Sequence, residues 1–398
     1  MSFSAAASSL RIILAVTTDL NYDQRMQRIC SSLVAAGYQV QLVGWQRPAS
    51  LPLAPQPYGQ HRLQGWFQKG KLFYLEFNLR LFYYLLTQRA DLWGCADLDA
   101  ALPAWARARL GGQPFSYDAH ELFTEMPEVV ARPPVQRLWR WVEKFVVPRA
   151  QLRYTVGPAL ARLFEARYPG HAFGVVRNAP PAASPAAEGV GVGVAPPKPA
   201  GVFLLYQGAL NVGRGLAELL RALPQVPVRL VVCGEGDCSV VLRQQAEQLG
   251  LLHSDAYPAG QVEFRGYVLP AALRAVTAQA TVGIMLLENT GLSYYYSLAN
   301  KFFDYVQAGI PQLCIDFPEY RALNEQYEVA VLVPDLAPAT LVAALHQLLP
   351  GGQPGPHYHR LAANCRRART EWNWQQEEKT LLTLYDQTFQ NLANSNCQ

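Results

Sequence analysis

The residues best suited to chemistry lie in one block, ENTGLSYYYSLANKFFDYVQAGIPQLCID, from Glu288 to Asp316. Ser297 and Asn300 are of the types that cap a helix, and the helix predicted to follow has free N–H groups and a dipole that favour a phosphate. Lys301 falls in its first turn, where a cation works against the dipole unless an anion sits there too. Asp304 lies one turn further on, on the same face as Asn300 and Lys301. A carboxylate there suits the two hydroxyls of a ribose. Gly309 and Pro311 break the helix ahead of the strand PQLCID. The plainer alternative is an amphipathic helix with a basic residue near its start.

Such residues need a frame, and the pattern around them supplies one. RIILAV (11–16) reads as a buried strand. Asp23 reads as the N-cap of a helix whose apolar positions include Met26, Ile29, Leu33 and Val34. Gly37 ends that helix, and YQVQLVG (38–44) returns as a strand. Strand, helix, strand at this spacing is a βαβ unit and implies a parallel sheet. The second half repeats the pattern: strands over 201–208, 228–236, 262–268 and 281–287, with a helix over 215–223. The expected architecture is therefore α/β, with two Rossmann-like parallel-sheet domains and ligands at the carboxyl ends of the strands. The expected divisions are 1–178, a Pro/Ala/Gly-rich linker over 179–200, a second domain over 201–370, and a C-terminal helix over 371–398 packing back toward the first domain.

The 288–316 block resembles the retaining GT-B glycosyltransferases, specifically glycosyltransferase family 4, which carries a paired-glutamate motif, a small-residue helix and then G-x-P. Counting back from Gly309, Asp304 falls on the family's second glutamate, which holds the donor ribose. Tyr296 falls on the first, near the donor sugar, so the chain departs from the pattern there. Glu288 or a tyrosine of 294–296 is the expected substitute. YQGALNVGRGLAELLRAL (206–223) resembles the family segment whose glycine turn and two basic side chains neutralise the diphosphate. Gly208 matches the turn and Arg214 the lysine, while Ala209 replaces the arginine. By resemblance Arg214 and Lys301 share the leaving-group charge; otherwise Arg214 is a solvated residue at a helix start. VVCGEGD (231–237) matches the turn, at Gly234, where backbone approaches the donor. FRGYV (264–268) matches the segment whose main chain reads the base, around Tyr267 and Val268.

In the first half, YDAHELFTEMPE (117–128) resembles the segment with a histidine facing the donor sugar, which places His120 there with Glu121 beside it. Asn178 matches an asparagine at the exit of the first domain, with structural capping as its alternative. The loop TTDLNYDQRM (17–26) lacks the family's double glycine, and Arg25 is expected to meet donor phosphates or an anionic acceptor. ADLDA (96–100) contains a D-x-D, a pair that elsewhere holds a metal on a diphosphate. The duplicated parallel sheet, Arg214 and Lys301 favour another reading, with Asp97 at a strand end near the acceptor and Asp99 capping the next helix. No metal and no cofactor is expected.

Composition bounds the rest. Seven scattered cysteines without a C-x-x-C pair read as reduced thiols. Residues 1–178 carry 20 Lys+Arg against 12 Asp+Glu, and residues 179–398 carry 14 against 18, so the basic half suggests an anionic partner. Two stretches, 61–89 and 132–149, mix aromatics with basic residues. Core packing is favoured for most of these aromatics, with weak membrane-surface contact as the alternative. No reader motif for nucleic acid is present. The expected location is cytoplasmic, at or near the inner face of a membrane. The resemblance implies metal-independent transfer of a sugar, with retention, from a UDP- or GDP-sugar to a glycan or lipid-linked acceptor in cell-envelope or polysaccharide synthesis. In that mechanism domain closure brings His120 to the sugar. A nucleotide-sugar epimerase and an inactive sugar-nucleotide-binding protein are the alternatives.

Overall fold

The computed structural model describes residues 10–182, 201–253 and 260–395. Most of the predicted linker, from residue 183 to 200, lies outside the described residues. The chain divides into two compact units. The first comprises Met1–Asn178, Gly291–Ser297 and Gln376–Gln398; the second comprises Ala179–Thr290 and Leu298–Gln375.

The first unit holds a seven-stranded sheet: β1 (Arg11–Ala15), β2 (Gln39–Trp45), β3 (Gly59–Leu63), β4 (Leu92–Ala96), β5 (Phe115–Ala119), β6 (Leu152–Thr155) and β7 (Gly174–Val175). Its order is β3-β2-β1-β4-β5-β6-β7, and every pairing is parallel. The order reverses between β1 and β4, which opens a crevice at their carboxyl ends. Strands β4 and β5 are buried along their whole length, as expected of a sheet covered on both faces. The helix Gln24–Ala35 begins as read from the sequence: the Asp23 carboxylate accepts the Met26 N–H at 3.0 Å. Met26, Ile29 and Leu33 face the core, with Val34 only half-buried.

The last helix, Trp374–Ser395, runs back onto this sheet, as predicted. Tyr38 donates to Asp386 at 2.6 Å and stacks on Phe389, while the Arg177 guanidinium meets Glu377 at 2.7 Å. Leu381 and Tyr385 are fully buried.

The second unit holds six parallel strands: β8 (Phe203–Gln207), β9 (Arg229–Cys233), β10 (Val262–Gly266), β11 (Val282–Met285), β12 (Gln312–Ile315) and β13 (Ala330–Val333). Their order, β10-β9-β8-β11-β12-β13, reverses between β8 and β11. The two units thus share one wiring, and each places its crevice beside its own first strand.

Candidate donor site and the histidine cluster

In the second unit the carboxyl ends of β8, β9 and β10 each finish at a glycine, and the three turns are laced together. Gly208 N–H donates to the Cys233 carbonyl at 3.0 Å, and Gly234 N–H donates to the Gly266 carbonyl at 2.7 Å. Gly234 has φ +149°, and a Cβ there would overlap the Gly208 carbonyl. Gly208 itself has φ +125°. Only glycine allows these two backbones to lie against each other and leave a crest of bare main chain.

Lys301 rises beside that crest. Its Nζ lies 3.8 Å from the centroid of the Tyr206 ring, a cation–π contact, and 3.9 Å from where a Gly208 Cβ would stand. The Tyr206 hydroxyl donates to the Ala209 carbonyl at 2.7 Å, so the same ring fixes the turn and carries the ammonium. Lys301 is 9 % exposed, and no carboxylate forms an ion pair with it among the described residues. Burial and the neighbouring Arg214 guanidinium lower its pKa to about 7, against a small opposing influence of the Cys314 thiol. Two neighbouring cations, one of them buried, repel each other, and an anion beside them would relieve that repulsion.

Lys301 stands in the first turn of the helix Asn300–Ala308, with Gly309 closing it in the left-handed region at φ +74°. The expected side-chain caps are absent, which corrects the sequence reading. The N-cap is Ala299, whose N–H donates to the Tyr320 hydroxyl at 3.1 Å. Ser297 instead turns its hydroxyl back to the Tyr294 carbonyl at 2.8 Å, and Asn300 is the first helical residue, exposed. A helix start without a side-chain cap keeps amide donors for other acceptors. Asp304 is half-buried one turn on, where it accepts from Gln207 Nε2 at 3.0 Å; Gln207 in turn accepts from Thr277 at 2.7 Å. Tyr206 and Gln207, missed in the sequence, are the last two residues of β8.

The remaining residues of this set are placed as follows. Tyr267 stands 64 % exposed just past β10, and Val268 packs on the core. Glu288 follows β11, half-buried, and its N–H donates to Gly213 at 2.9 Å, which ties the two sides of the β8/β11 crevice. Tyr296 ends the short helix Leu292–Tyr295 of the first unit, its ring edge-on to Tyr295.

In the first unit the ends of β4 and β5 carry a second cluster. His120 lies between two carboxylates: its Nε2 is 3.0 Å from Asp118 Oδ2, and its Nδ1 is 3.6 Å from Asp97 Oδ2. Burial pulls its pKa down, but Asp118 and Asp97 outweigh that and hold it at about 9. Asp97 accepts the His120 backbone N–H at 2.9 Å, and its backbone sits at φ +56°, ψ 176°. It is the sole non-glycine residue with positive φ among the described residues. This glycine-like conformation costs about 1–3 kcal/mol and concentrates at functional sites. Burial raises the Asp97 carboxyl to about 8, with His120 opposing and Glu121 reinforcing the rise.

Two sequence expectations fail here. Arg25 is 3 % exposed, and its guanidinium forks onto Asp118 at 2.9 and 3.0 Å and onto the Val176 carbonyl at 2.8 Å. It anchors the Asp118 that holds His120, so no phosphate or acceptor reaches it. Asp99 does not cap the following helix, whose N-cap is Ala100. Its carboxylate instead accepts from the Thr17 hydroxyl at 2.6 Å across the β1/β4 crevice. Asn178 accepts from Arg28, linking the first helix to the end of the sheet. Among the described residues no group of three His, Cys, Asp or Glu is arranged to hold a metal. Asp118 had a signal in the sequence, since it precedes His120 by two residues and strand periodicity puts both on one face.

Comparison with known proteins agrees with the two-domain fold. Residues 22–179 match the model of the glycosyl transferase 4-like domain, and residues 201–350 match that of glycosyl transferases group 1. Among solved structures, the chain is similar to the sucrose-phosphate synthase of Thermosynechococcus elongatus, with TM-score 0.72, 18 % identity, and coverage of 96 % of this chain and 100 % of that one. It is similar to Anabaena HepE in complex with UDP-glucose, with TM-score 0.69, 15 % identity, and coverage of 97 % and 100 %. WaaG, a glycosyltransferase of lipopolysaccharide biosynthesis, gives TM-score 0.66, 16 % identity, and coverage of 94 % and 99 %. No curated protein sequence matches. With both halves matched by glycosyltransferase domains and two parallel sheets of one wiring, the chain belongs to the GT-B glycosyltransferases of the family 4-like, group 1 type.

Proposed function

We propose that the protein transfers a sugar from a nucleoside-diphosphate donor, with retention and without a metal, to a glycan or lipid-linked acceptor of the cell envelope. The observation that carries this reading is the position of Lys301, buried beside the bare Gly208–Gly234 backbone with Arg214 as a cationic neighbour. Those cations, with the amides that open the Asn300–Ala308 helix, take the diphosphate. Asp304 takes the ribose, and the main chain at Tyr267 and Val268 lies against the base. The departing diphosphate accepts the acceptor's proton while attack occurs on the same face, and His120 serves the donor sugar.

HepE was solved with UDP-glucose, which makes a UDP-sugar the first donor to try. Thermal-shift screening against UDP, GDP and ADP should show stabilisation by one of them. Incubating the matching nucleotide-sugars with an envelope glycan extract should then release the diphosphate. Ala209 and Tyr296, at positions where the family carries arginine and glutamate, support a second reading, an inactive sugar-nucleotide-binding protein. Binding without any diphosphate release would favour it.

A further inference from the structure

The helix Gly70–Leu86 of the first unit reads GKLFYLEFNLRLFYYLL and is apolar around most of its circumference. One row, Phe73, Phe77, Leu81 and Leu85, is buried in the unit. The opposite row is not: Leu72 is 54 % exposed, Leu75 58 %, Leu79 49 %, Tyr83 66 % and Leu86 46 %. Their spacing of three, four, four and three makes one stripe about 20 Å long at 1.5 Å per residue. Trp66, 83 % exposed, and Phe67 extend the apolar surface ahead of the helix. A helix that is apolar on all sides belongs in a core or a bilayer. Here the core takes one side only.

The charges around the stripe say what covers the other side. From residue 61 to 89 the basic residues are Arg62, Lys69, Lys71, Arg80 and Arg89, against Glu76 alone. Glu76 is already used: it accepts from Arg80 at 2.8 Å and from the Trp66 and Phe67 backbone amides at 2.9–3.1 Å. Arg80 lies over the Trp66 ring at 4.8 Å, which pins that tryptophan beside the helix. Lys69, Lys71 and Arg89 remain exposed near the two ends. Exposed leucines flanked by an indole, a phenol and basic residues match an interface between hydrocarbon and anionic headgroups. A protein partner of ordinary surface charge would gain nothing from so one-sided a balance.

We propose that this face of the helix Gly70–Leu86, with Trp66 and Phe67, docks on an anionic lipid surface. The inference is independent of the donor site, whose residues all lie elsewhere in the chain. It is tested by co-sedimentation of the full-length protein with vesicles of equal parts phosphatidylcholine and phosphatidylglycerol, beside vesicles of phosphatidylcholine alone. The wild type should bind the anionic vesicles roughly tenfold or more tightly and release them as salt rises. Leu75→Glu with Leu79→Glu, and separately Lys69→Glu with Lys71→Glu, should each lower that binding about tenfold with the thermal midpoint unchanged, since all four side chains are exposed. Should a double variant fold poorly, bromolipid quenching lost on Trp66→Phe reports the same contact in an otherwise unaltered chain. Equal binding to both vesicle types, variants that bind as the wild type does, or a wild-type dimer that the leucine variants convert to monomer would each overturn the proposal. Diphosphate binding should be the same in the wild type and these variants, so this result and that of the donor site are read separately.

Discussion

Lys301 holds its ammonium nitrogen 3.8 Å from the centre of the Tyr206 ring, with the Arg214 guanidinium as a cationic neighbour. Under the proposed function, the cost of this arrangement to the unliganded protein is relieved when the diphosphate binds. With its pKa at about 7 against an ordinary 10.5, the folded state sheds a proton that the unfolded state keeps between those values. Stability should therefore rise with pH across that window as far as this group is concerned. Lys301→Met should raise the thermal midpoint of the unliganded protein at pH 7 by a few degrees and weaken nucleoside-diphosphate binding roughly tenfold or more. A loss of both stability and binding would mark Lys301 as merely structural.

The same titration gives a binding prediction. A bound diphosphate favours the ammonium, so the complex takes up a proton once the free lysine has lost it. Affinity should fall as pH rises through about 7. Calorimetry in two buffers of different ionisation heat should reveal the uptake at pH 8.

Gly234→Ala should be worse than its one methyl group suggests. The new Cβ would meet the Gly208 carbonyl, and φ +149° is foreign to alanine. A loss of about 2–4 kcal/mol in denaturant unfolding, or undetectable diphosphate binding where the fold survives, is the expected result.

Arg25 should behave as a core residue. Its ion pair with Asp118 is 3 % and 2 % exposed, so Arg25→Ala strands a buried carboxylate at a cost of about 3–5 kcal/mol. Urea unfolding checks this. Arg25→Lys keeps the charge but loses the fork, and should recover only part of the deficit.

His120 is a cation at neutral pH. Burial lowers its pKa, but the Asp118 carboxylate, the first cause of the rise, helps to hold it at about 9, above the ordinary 6.5. The contribution of that pair is therefore complete below 6.5 and is lost as pH rises through 9. In carbon-detected NMR its ring should titrate near pH 9, and Asp97→Asn should bring the midpoint down by roughly one unit. A wild-type midpoint near 6.5 would mean that the two carboxylates do not hold it.

The parallel sheets were legible because βαβ spacing is local: strand runs at 11–16, 38–44 and 228–236 were each placed within a few residues of β1, β2 and β9. The placement of Lys301 and Asp304 on one helix was legible for the same reason. Arg25 was not, because its partner Asp118 is 93 residues away and only the sheet brings them together. The caps differ because Ser297 bonds locally to the Tyr294 carbonyl, while Asp99 takes a hydroxyl that only tertiary packing brings across the crevice. Tyr206 carries no signal in the sequence, because it is a buried strand residue, a place where an aromatic side chain usually marks only core.

The most direct test of the donor site is a calorimetric titration with UDP, GDP and ADP, run on the wild type and on Lys301→Met at pH 7. The account predicts micromolar binding of one nucleotide by the wild type and at least about a tenfold weakening in the variant, whose fold is at least as stable. Equal affinity in the two proteins, or no binding by a well-folded wild type, would contradict it.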